Sequence, residues 1–149
     1  MGLDMYLTAK RYLFKVRAED KAIAEAIGKL DLNHNGMRVK EIACEAIYWR
    51  KANAIHNWFV QNVQSGVDDC REYYVTRSQL ESLLSLCQKV LTEPSKSEEL
   101  LPPMAGFFFG SAEVNDWYWD DIKSTIGGLN NILEDSVSQE WEFYYASSW

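Results

Sequence analysis

Histidine is almost missing from this chain: His34 and His56 are the two in 149 residues. No H-x-x-x-H or E-x-x-H spacing joins them to a second ligand, so the motifs of a zinc hydrolase are excluded and no metal is expected. Cysteine is scarce as well. Cys44, Cys70 and Cys87 are odd in number and far apart, with no C-x-x-C, which argues against a disulfide framework. Cys44 falls in a predicted strand and Cys87 on a predicted helical stripe, where both read as small core residues. No apolar run approaches the ~20 residues of a membrane-spanning helix. The opening MGLDMYL has neither a basic leader nor the Ser or Thr at position 6 that myristoylation requires. The expectation is a reduced, cytoplasmic protein without a membrane partner. Also lacking are a G-x-S-x-G elbow, a Walker A loop and a dinucleotide fingerprint, so no cofactor is implied and the enzyme reading is disfavoured.

Basic charge is missing from the last third. Residues 1–92 carry 13 Lys and Arg against 11 Asp and Glu, whereas residues 93–149 carry 2 against 11. The overall charge of −7 works against direct nucleic-acid binding, which needs clustered cations to displace counterions. The acidic third reads either as a solvated face or as a surface for a basic partner.

What the chain has is aromatic side chains, 13% of its residues and six of them Trp. One domain of this length buries its core without disulfides or metal, and six Trp exceed what that core needs, leaving some for a surface. Leu3, Met5 and Leu7 alternate with polar neighbours, the period of a half-buried strand. Ala22, Ile23, Ala26, Ile27 and Leu30 predict a helix over 18–30. Asp31-Leu-Asn-His-Asn-Gly36 begins like a calcium-binding EF loop, but position 12 is Ile42 rather than Glu, and the stretch reads as a turn. Residues 39–49 are apolar on both faces and predict a central strand. Helices follow over 51–64 and, after the capping box Thr76 to Gln79, along the Leu80, Leu83, Cys87, Val90 stripe. A short strand is expected at 71–75, a buried strand at 105–111, a helix capped by Asn115, and a final strand at 141–145. The predicted fold is a single α+β domain over 1–149, a mixed sheet of short strands packed with about four helices.

The densest stretch is YWRKANAIHNWF, residues 48–59. Arg50, Asn53 and Asn57 share a helical face that His56 borders, beside Trp49. Planar stacking with hydrogen-bonding forks suits a nucleobase, a phosphate or a carboxylate. The candidate ligand-binding residues are therefore Trp49, Arg50, Asn53, His56 and Asn57. Possible complements in other segments are Asp69, Arg71, Tyr73, Phe109, Ser111 and Trp117. A general-base role for His56 needs an orienting carboxylate, with Asp68, Asp69 and Glu72 nearest in sequence. Asp116, Asp120 and Asp121 form an acidic helical edge, a candidate protein-binding surface.

The stretches MGLDMYL, EAIYWRKANAIHNWFV, DDCREYYV, LPPMAGFFFGS, DWYWDD and EFYYASSW resemble a small protein family of bacteriophages and prophages, across nearly the whole chain. The resemblance carries no activity, cofactor or catalytic residue. It implies an accessory protein of the phage type, a class that includes inhibitors of bacterial immune systems. The leading expectation is thus a non-enzymatic binder of a host protein, in the host cytoplasm. A binder, or sponge, of a small nucleotide or signalling molecule comes second, and a small nucleotide hydrolase third. Homo-oligomerisation is left open.

Overall fold

The computed structural model describes residues 2–32, 35–134 and 139–149. Among the described residues four strands form one sheet: β1 (Asp4–Tyr12), β2 (Glu41–Arg50), β3 (Tyr73–Val75) and β4 (Glu142–Ser148), in the order β2-β1-β4-β3. Every pairing is antiparallel. The helices are α1 (Ala18–Gly28), α2 (Asn53–Asn62), α3 (Arg77–Thr92), a 3-10 turn at Pro94–Lys96 leading into the short α4 (Ser97–Leu100), and α5 (Asp116–Ile132). This is a single α+β domain, as the interleaved periodicities predict, and the expected parallel pairings do not occur.

The period-2 pattern of β1 sends Leu3, Met5, Leu7 and Ala9 to the inner face. There they join Ile47, Trp49, Phe143, Tyr145 and Val75 of the other strands in one core with α2, α3 and α5. The outer face carries Tyr6, Tyr48, Tyr74 and Tyr144, all exposed or half-buried. Helix α3 starts on the expected capping box: Thr76 Oγ1 accepts from the Gln79 amide, and the Gln79 side chain accepts from the Thr76 amide. Asn115 caps α5, its side chain accepting from the Tyr118 amide, and Val114 and Trp119 both pack against the core.

Two further expectations about the elements fail, and Cys44, expected in the core, is exposed. Strand β2 is an edge strand, not a central one, and the register shifts at Leu7/Thr8, so that Thr8 faces Glu45 and Ala46 is the extra residue. The bulge puts Ile42 and Cys44 on the same side as Ile47 and Trp49, which a strict alternation separates. Secondly, residues 105–111 form no strand. The Phe109 amide donates to the Gly106 carbonyl at 3.1 Å, closing a turn. A Cβ on Gly106 would lie 2.6 Å from the Phe109 ring, and Gly110 has φ +85°, so both glycines belong to that turn. The glycine pair at 127–128 leaves α5 unbroken; instead a Cβ at Gly128 would lie 2.7 Å from Ile47 Cδ1. Gly128 is what lets α5 close on the sheet. In the 31–36 turn, Asn33 and His34 lie outside the described residues, while Asn35 and Gly36 adopt the positive φ that the turn reading demands.

Candidate functional site

The strand-to-helix junction at residues 50–53 builds the site. Lys51 takes φ 58°, its amide donates to the Leu3 carbonyl at 2.8 Å, and the Asn53 amide donates to the Lys51 carbonyl at 2.8 Å. The chain reverses sharply and starts α2 with Ala52 in the N-cap position, a side chain that cannot cap. The N-terminal turn of α2 therefore opens toward the adjoining space without a side-chain acceptor of its own.

Asn53 organises what faces it. Its side chain is buried; Nδ2 donates to the carbonyls of Phe109 (2.9 Å) and Ser111 (2.8 Å), and Oδ1 accepts from the Met104 amide (3.2 Å). Three hydrogen bonds from one buried amide fasten the 104–111 loop against the start of α2. The Lys51 stem runs between Gly2 and Gly110, close to the positions a Cβ would occupy at either. From the other side comes α5. Trp49 Nε1 donates to Thr125 Oγ1 (2.8 Å), whose hydroxyl donates to the Asp121 carbonyl (2.7 Å), and Tyr118 hydroxyl donates to the Leu101 carbonyl (2.9 Å).

These three elements enclose a cavity of about 610 Å³, within the range of small-molecule sites. Arg50, Lys51, Asn53 and the first turn of α2 form one wall, Gly110, Ser111, Glu113 and Asn115 a second, and Trp117, Tyr118, Asp121 and Ile122 the third. Most of the lining is apolar, with Lys51, Glu113 and Asp121 as its charged side chains; Arg50 ends β2 at the cavity wall, and register turns its side chain to the outer face with Asp4 and Tyr48. Burial, and then the charge of Asp120, push the Asp121 carboxyl up to about 6. Near neutral pH this acid is thus able both to accept and, in a protonated fraction, to donate. Trp117 stands at the rim, 78% exposed.

Of the residues expected from sequence, Arg50, Asn53, Ser111 and Trp117 meet at this cavity. Trp49 and Phe109 are core residues. Asn57 is half-buried and donates to the Pro102 carbonyl at 3.2 Å. Asp69, Arg71 and Tyr73 form a separate local cluster. Arg71 Nε pairs with Asp69 Oδ2 at 2.7 Å, and the Tyr73 hydroxyl donates to the same carboxylate at 3.0 Å. Burial opposes the Asp69 charge, but those bonds and the Arg71 amide hold its carboxyl below the ordinary range. Asp116 and Asp120 are exposed, whereas Asp121 turns to the cavity and leaves the proposed acidic edge. Lys51, Glu113 and Asn115 were not anticipated. The i, i+4 spacing of Trp117 and Asp121 was the available sign that the two share one face.

His56 does meet the carboxylate the general-base reading needed. Its Nε2 lies 3.0 Å from Asp68 Oδ2, and its Nδ1 2.7 Å from the Tyr145 hydroxyl. Burial, then the Asp68 charge, raise Tyr145 well above its ordinary value, so the phenol keeps its proton beside Nδ1. Asp68 Oδ1 in turn accepts from Trp149 Nε1 at 3.2 Å. The imidazole is fully buried with both nitrogens engaged, so the arrangement ties α2, the 68–70 loop and the C-terminal strand together and leaves no nitrogen for a substrate. Among the described residues no cluster of His, Cys, Asp and Glu could hold a metal ion, and no helix is long and apolar enough to cross a membrane. No protein family, curated protein or solved structure matches this chain.

Proposed function

We propose that the protein acts by binding, and that the cavity between α2 and α5 receives a small planar ligand bearing an anionic group, of the mononucleotide class. The observation that carries this reading is the convergence of Lys51, Asn53, Ser111, Trp117 and Asp121 around one mostly apolar space of about 610 Å³. Lys51, beside the uncapped first turn of α2, supplies the positive potential an anionic group needs. Trp117 offers a face for stacking, and Asp121 with Ser111 and Asn115 supplies donors and acceptors for the edge of a ring. The sealed His56 is the reason the reading is one of binding rather than turnover.

Thermal melts against a panel of mononucleotides test it. At about 100 times its Kd a ligand that binds only the folded state adds ~2.7 kcal/mol, a rise of roughly 5–10 °C for a chain of this size. One panel member should give that rise and lose it in Lys51→Ala and Trp117→Ala. A panel without effect removes the proposal.

A second reading keeps the phage-type accessory role, a protein that blocks a host factor. It is favoured by Asp116 and Asp120, which project from the exposed first turns of α5. Retention of one defined host protein on the immobilised chain, lost on reversing both charges, is its test; retention indifferent to that reversal rules out the acidic-edge form.

A further inference from the structure

The outer face of the sheet is used by neither the core nor the cavity. Register places Tyr6 opposite Tyr48, and their rings meet at 5.4 Å with a 45° tilt. Two strands across, Tyr144 is opposite Tyr74, with ring centroids 5.6 Å apart. Tyr6, Tyr48 and Tyr74 are 36%, 43% and 55% exposed. Large rings in water on a rigid face are what interfaces concentrate.

Charge decides what fits there. The same side of the sheet carries Asp4, Glu41 and Glu45 by register with β1, and Glu142 on β4, with Glu72 just before β3. Its cations are Lys10 and Arg50. The tyrosine hydroxyls are themselves tied to carboxylates: Tyr48 donates to Asp4, and Tyr144 to Glu142 at 2.9 Å. An aromatic sheet face of this kind suits stacked bases when cations surround it, but a carboxylate rim repels phosphate. It attracts a cation. The chain displays that chemistry on itself, since Lys10 Nζ lies 4.5 Å from the Tyr144 ring centroid while pairing with Glu72.

We propose that this face docks a basic, arginine-bearing segment of a partner protein, with guanidinium groups stacked on Tyr6 and Tyr48 and paired to Asp4, Glu41 and Glu45. Planar guanidinium matches both elements, ring and carboxylate, better than the compact ammonium of lysine. The surface lies on the far side of the sheet from the core, and the proposal stands whether or not the cavity binds a nucleotide.

The probe is a fluorescein-labelled octapeptide alternating Arg and Ser, followed by anisotropy at physiological salt. Lys-for-Arg and Glu-for-Arg peptides and a labelled uridine octamer serve as comparisons. Saturable binding is expected in the order Arg above Lys, with none for the Glu peptide or the RNA. The double substitution Tyr6→Ala with Tyr48→Ala should weaken it about tenfold. Phe at both positions should retain it, and Glu41→Gln with Glu45→Gln should weaken it several-fold. Substituting Asp116→Asn with Asp120→Asn on α5 should change little. Because both tyrosines are exposed, unchanged melting temperatures keep the comparison valid, and the Phe pair reports on the face should the Ala pair unfold. Absence of saturation overturns the proposal, as does preference for the RNA. So does weakening by the α5 variants alone, which would mark diffuse attraction to an acidic protein.

Discussion

At the scale of single residues, burial opposes the charge of two carboxyls, and their partners decide opposite outcomes. Asp121 is raised to about 6 from its ordinary 3.8. Between those values the folded state binds the proton that the unfolded state has released, so stability falls as pH rises through that window. Asp121→Asn should therefore melt higher than the parent at pH 7.5, and the difference should disappear near pH 4; thermal melts across that range check it. Asp20 behaves in reverse. It is fully buried, and although burial opposes its charge, the Phe14 amide, then Arg11 and Arg17, hold its carboxyl below the ordinary range. Arg11 Nη2 lies 3.0 Å from it. A lowered value contributes stability above the unfolded pKa that is lost as pH falls through the folded one. Asp20→Asn should lower the melting temperature at pH 7 and flatten its fall on the acid side. Neither carboxyl's environment was legible in sequence, since both depend on neighbours that only folding supplies.

At the scale of elements, legibility followed how local the determining contacts are. Helix α3 was readable because its capping box and apolar stripe lie within one stretch, and Asn115 announced α5 for the same reason. The run Phe107–Phe109 looked like a buried strand, yet its conformation is set by Asn53, more than fifty residues earlier in the chain, through bonds to the Phe109 and Ser111 carbonyls. The bulge at Ala46 was equally hidden, because an extra residue shows only against a partner strand. The glycine pair in α5 separates the two kinds of cause. Gly127 has open space around its Cβ position, so Gly127→Ala should stabilise the helix by ~0.8 kcal/mol. Gly128 is pressed against Ile47, so Gly128→Ala should destabilise by ~1–3 kcal/mol through overpacking. Chemical denaturation of the two variants should give shifts of opposite sign.

For the whole molecule, the antiparallel sheet order leaves β1 and β4 central and presses three helices onto one face. That arrangement brings the end of β2, the 104–111 loop and the start of α5 to one place. The sequence stretch 48–59 pointed to that corner, and Arg50 and Asn53 are there, but its most suggestive residue, His56, belongs to the sealed interior. The cavity instead draws on Lys51, Glu113, Asn115 and Asp121, whose convergence is a property of the fold. The central claim is that this corner binds a small planar anion. Amide chemical-shift mapping with the mononucleotide that gives the largest thermal rise tests it most directly. Saturable shifts are expected, concentrated in residues 50–55, 110–115 and 117–122. Shifts confined to other surfaces, or a spectrum that no member of the panel changes, would contradict it.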